Sequence, residues 1–170
     1  MSLVGLIRET QMEQLITLKS GVVLRAVKMN STVIPDTLNQ FTRPKPPKVW
    51  IAEKGRDEEN PNDPRYIDAE NAYRIATSMA VNDAVILFGT AFVSKPDGVE
   101  GPEDPDWQEK ARLIGSLKGD GKSARYLAWV KLVAAQDETD YTAIWNAVAR
   151  LNGVAEKDVA QQTARFPDNS

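Results

Sequence analysis

The pair Asp63-Pro64 and the glycine at position 89 bracket the segment that most constrains this fold. Aspartate is a good helix cap. Proline suits the first helical position because its φ is already helical and the N–H it lacks would have had no partner there. Between these marks Ile67, Ala72, Ile75, Ala76, Met79, Ile86 and Leu87 roughly follow a helical repeat, which predicts the longest helix of the chain, running to Phe88. A second start of the same kind, Asp104-Pro105, predicts a short helix through Trp107, Ala111 and Ile114. Residues 123–135 carry Tyr126, Leu127, Val130 and Val133 at helical spacing. Asp137 caps a further helix with Ile144, Val148 and Leu151 on one side and Gly153 as its terminating glycine. A short helix over about 156–164 closes the series.

The segment before the long helix has a different pattern. Leu15-Ile-Thr-Leu18 and Val22-Val-Leu-Arg-Ala-Val27 are apolar, β-branched runs separated by Lys19-Ser20-Gly21, where glycine supplies the positive φ of a tight turn. These read as a hairpin. Asn30-Ser31 offers a cap for a short helix lined by Val33, Ile34, Leu38 and Phe41, ending near Thr42. Arg43-Pro-Lys-Pro-Pro47 reads as extended polyproline chain feeding Val49-Trp50-Ile51 as a third strand, and Lys54 to Asn62 as a polar, mobile loop. The expected fold is therefore α+β and mainly helical: an N-terminal hairpin, with three strands at most, then about five helices. The organisation expected is a strand and proline-rich segment over 1–56 and a helical body over 57–170, packed as one domain.

The chain has no histidine and no cysteine. Thiolate nucleophiles, disulfides and zinc-thiolate sites are excluded, and so is the usual general base near neutral pH. Carboxylate, lysine or tyrosine chemistry remains open, but no pair of carboxylates stands out for acid and base roles. Gly115-Ser-Leu-Lys-Gly-Asp-Gly121-Lys122-Ser123 ends like a phosphate-binding loop, yet Ser116 occupies the place of the first required glycine and the segment before it reads as helix rather than strand. Asp57-Glu-Glu-Asn-Pro-Asn-Asp63 is rich in oxygen ligands, but Asn62 and Asp68 stand where a calcium loop needs its central glycine and its bidentate glutamate. No catalytic, cofactor or metal residue is expected. The chain reads as a binding or assembly protein rather than an enzyme.

Charge is unevenly spread: residues 1–56 hold nine Lys/Arg against four Asp/Glu, and residues 57–170 twelve against twenty. A mainly acidic chain is a poor general ligand for nucleic acid, whereas segments of opposite sign favour contact between copies, a homo-oligomer. Trp50 beside the proline run, with Arg43, Lys45 and Lys48, forms the expected partner-binding residues. Tyr126, Trp129, Tyr141 and Trp145 are expected in the core between facing helices. Residues 1–9 lack the pattern of a signal peptide, and the longest apolar stretch, Ala84 to Val93, falls short of the roughly 20 residues of a membrane span. A cytoplasmic, non-membrane protein is expected.

Several segments together resemble the small tail assembly chaperones of long-tailed bacteriophages and prophages: Leu18-Lys-Ser-Gly-Val-Val-Leu-Arg25, Arg43-Pro-Lys-Pro-Pro-Lys-Val49, Glu58-Glu-Asn-Pro-Asn-Asp-Pro64, Leu87-Phe-Gly-Thr90 and Ala124-Arg-Tyr-Leu-Ala-Trp-Val130. The resemblance covers most of residues 15–165. It implies a non-enzymatic protein of the host cytoplasm that binds the tape measure protein, and with it the tail tube protein, during tail morphogenesis. Two other readings stand beside it: a structural virion part, such as a head-tail connector or tail completion protein, which shares this size and helix content, and, from a different class, a carboxylate-dependent enzyme.

Overall fold

A computed structural model describes residues 15–153. The expected helix over 156–164 and the segment 1–9 lie outside them. The fold is α+β and mainly helical. Contacts divide the chain into two units, one comprising residues 1–30 with 85–170 and the other residues 31–84. The expected boundary at residue 56 falls within the second unit, at the first residue of a strand.

In the first unit, β1 (Leu15–Thr17) and β2 (Val23–Ala26) form the expected antiparallel hairpin, with Ile16 opposite Leu24. Gly21 takes φ 83° in the turn, which the Leu18 and Val22 backbones close by hydrogen bonding. The third strand of this sheet is β5 (Thr90–Ser94), antiparallel to β2, whereas the Val49 segment, a strand as expected, belongs to a separate sheet. Valine, phenylalanine and threonine directly after Gly89 favour a strand, but the same run continues the helical repeat before it. Register shifts between Val23 and Leu24, so that Val93 is the extra residue between partners Phe92 and Ser94.

Side chains alternate across a strand, and Ile16, Leu18, Val22, Leu24 and Ala26 all turn one way and are buried. Three helices follow, α3 (Pro105–Leu113), α4 (Lys122–Trp129) and α5 (Glu138–Leu151): α3 contacts α4, and α5 lies on β1 and β2 with Ile144, Val148 and Ala149 buried. The helix expected over 123–135 is α-helical only to Trp129. It then widens into a π-helical turn, Val130–Ala134, closed by Ala135 N–H donating to the Val130 carbonyl at 2.8 Å. Asp137 caps α5 as expected, accepting from the Thr139 and Asp140 amides. Asp104 instead turns its carboxylate back to the Gly101 amide.

Two tryptophans fix the loop between β5 and α3 from within. The Trp107 and Trp129 indoles donate to the neighbouring carbonyls of Gly101 (2.9 Å) and Glu100 (2.8 Å), and Arg125 pairs with Glu103 at 3.0 Å. Trp129 is fully buried and meets its edge-on aromatic neighbour on β5, Phe92, rather than on a facing helix. Tyr126, one turn earlier, gives its hydroxyl to a 2.8 Å contact with Thr90, and burial raises its pKa.

The second unit contains α1 (Val33–Leu38), the hairpin of β3 (Lys48–Ile51) with β4 (Arg56–Glu59), and most of α2 (Pro64–Gly89). The long helix therefore occurs between the predicted marks. Thr32 rather than Asn30 or Ser31 precedes α1. The segment expected as a polar loop supplies β4, because Lys48, Val49 and Trp50 pair with Glu59, Glu58 and Asp57 across the turn at Gly55 (φ 61°).

Gly89, the last residue of α2, has no room for a side chain. An added Cβ would lie 2.8 Å from Val148 Cγ1 on α5 and 3.0 Å from Met29 Sδ. Gly89→Ala is expected to lower stability by about 2 kcal/mol through overpacking, measured by urea denaturation. A Gly89→Ala protein as stable as the parent would show that this contact is not tight.

Candidate interaction surface

Across residues 31–83 no residue is buried. Every fully buried apolar side chain of the described residues lies in the first unit or at Ala84 on the boundary. Order in the second unit rests instead on a few polar ties and half-covered contacts. Arg43 reaches from the proline run to Glu70 of α2 at 2.9 Å, and this bond raises the guanidinium pKa further. Asp63 accepts from the Arg65 and Tyr66 amides and caps α2. Within the hairpin, Glu58 is held by Arg56 and Lys54 (2.8 and 3.1 Å), which lower its pKa.

Ile67, Ile75 and Met79 follow the helical repeat of α2, yet they do not mark its covered side. Ile67 is 45%, Ile75 63% and Met79 56% exposed. The half-covered stripe is Tyr66, Glu70, Tyr73 and Thr77, spaced three and four residues apart and about opposite Ile75 on a helix of 100° per residue. An apolar count misses it because its members are aromatic, charged and hydroxylic. The signal present in sequence was the tyrosine pair at seven-residue spacing, together with Glu70 within reach of a basic, proline-rich segment.

The residues expected to bind a partner are all at the surface. Trp50, on β3, is 64% exposed, in contrast to the buried Trp107 and Trp129. Lys48 and Trp50 share one face of the strand, Val49 and Ile51 the other. Lys45 and Lys48 are exposed and make no ion pair among the described residues, whereas Arg43 is engaged with Glu70. A two-stranded hairpin is marginal alone in water, and this one places valine and tryptophan opposite glutamate and aspartate, so neither face is apolar throughout.

The other sequence candidates resolve structurally. The Gly-Lys-Ser segment follows α3, with no strand to aim it, and Leu117 tucks the loop inward at 5% exposure. Asp57, Glu58 and Glu59 alternate along β4. Among the described residues no three acidic, histidine or cysteine side chains converge as metal ligands, and no helix is long and apolar enough to cross a membrane. Comparison with known protein families, curated proteins and solved structures gives no match to this chain.

Proposed function

We propose that this chain is a non-enzymatic assembly protein of the bacterial cytoplasm whose residues 31–84 bind a long, apolar helical partner. The tail assembly chaperones it resembles suggest that partner to be the tape measure protein of a long-tailed phage. The observation that carries the binding reading is the absence of any buried residue over 31–83, together with the exposure of Val49, Trp50, Ile67, Ile75 and Met79. A segment ordered without an interior gains from covering such groups, and a helix laid along α2 would do so by ridge-and-groove packing.

The full chain co-expressed with the tape measure protein should recover it in a pull-down. Ile75→Asp with Met79→Asp should weaken capture at least about tenfold, since each substitution places a charge where roughly 1–2 kcal/mol of apolar burial was available. The circular dichroism of the free protein should be unchanged. Recovery of only DNA or nucleotide would sink the proposal, and retention of the chain in purified particles would make it a structural virion component instead.

A further inference from the structure

Two surfaces of this chain carry complementary chemistry. Residues 43–48, Arg-Pro-Lys-Pro-Pro-Lys, contain three cations and no acid. They lead directly into Trp50, and the ammonium groups of Lys45 and Lys48 have no ion-pair partner among the described residues. Residues 97–109 contain six acids and no base, with Pro102 and Pro105 among them. This acidic segment is preorganised by the two indole bonds to Glu100 and Gly101 and by Asp104 on the Gly101 amide. Its outer carboxylates Asp97, Asp106 and Glu109 are exposed and unpaired among the described residues. Preorganisation matters because a loop already in its bound shape loses little entropy on docking. An exposed indole flanked by lysines is the chemistry that receives a proline-bearing acidic chain. The ring stacks on the pyrrolidine and the cations meet the carboxylates.

We propose that copies of this chain associate through these unlike surfaces, the Lys45–Lys48–Trp50 face of one seated on the Asp97–Glu109 segment of another. Like-with-like contact is disfavoured, because it would set lysine against lysine or carboxylate against carboxylate. A second copy is the occupant because it supplies, in a fixed conformation, the sign and the prolines that the Trp50 face lacks. This inference stands apart from the chaperone reading and survives its failure.

The test is the solution mass of the full chain by sedimentation velocity over a range of concentrations, at about 0.05 M and 0.5 M salt, which spans strong to weak screening. The wild type should exceed monomer mass at low salt and return to it at high salt. Lys45→Glu with Lys48→Glu, and separately Asp97→Lys with Asp106→Lys, should each remain monomeric at concentrations at least tenfold above the wild-type midpoint. The two variants mixed in equal amounts should associate again, since each then offers the sign the other needs. Circular dichroism matching the wild type checks that both variants are folded. Trp50→Ala should weaken association without altering its salt dependence. A wild type that is monomeric throughout, an association indifferent to salt and to both reversals, or a mixture of folded variants that fails to recover would each overturn the proposal.

Discussion

Trp129→Ala is expected to destabilise the first unit by about 4 kcal/mol, the upper part of the range for truncating a buried aromatic. The residue is 0% exposed, lies edge-on to Phe92 with ring centroids 5.3 Å apart, and donates its indole N–H to Glu100 at 2.8 Å. Alanine would open a cavity between α4 and β5 and leave that carbonyl without its donor. Trp129→Phe separates the two contributions: it keeps most of the apolar volume and should cost about 1–2 kcal/mol for the lost hydrogen bond and indole edge. Urea denaturation followed by far-ultraviolet circular dichroism measures both. A loss near 1 kcal/mol for alanine would mean that the core closes around the gap and that Trp129 does not organise it.

Asp140→Ala is the second large effect expected, at about 3 kcal/mol from two amides left without an acceptor. Asp140 is 3% exposed, with one oxygen on the Lys19 amide at 2.9 Å and the other on the Gln136 amide at 2.8 Å. It thus ties the β1–β2 turn to the start of α5. Asp140→Asn should recover little of this, because one amide N–H would then face its new NH2 group, donor to donor. Close by, Lys19 and Asp137 form an exposed pair that raises the lysine pKa and lowers that of the aspartate. Substituting Lys19 should cost far less, as an exposed ion pair is screened by solvent. If Lys19→Ala destabilised as much as Asp140→Ala, the surface pair and not the buried carboxylate would hold the turn.

Local chemistry made much of this fold legible. Asp63-Pro64, Asp104-Pro105, Asp137 and Gly21 each impose a backbone state within a few residues, and helices and a turn occur where they predict. Pairings distant in sequence were not legible. Nothing near Val49 distinguishes joining β2 from pairing with β4, and β5 lies hidden behind a helix whose repeat runs into it. The site was half legible. Trp50 and its lysines are exposed as their proline-rich setting suggests, but the apolar repeat of α2 does not show which of its stripes is covered.

Helix α2 has a consequence for motion. Val85 and Ile86 are 1% and 2% exposed, whereas no residue from Pro64 to Asp83 is buried. Amide protons of the turn that carries Val85 and Ile86 are therefore expected to exchange only when the hydrophobic interior of the first unit opens. Those of the preceding turns exchange through local fraying that leaves that interior intact. One continuous helix thus spans two levels of opening free energy. A ligand covering its outer turns would slow exchange there first, recording its footprint as a gradient along a single element.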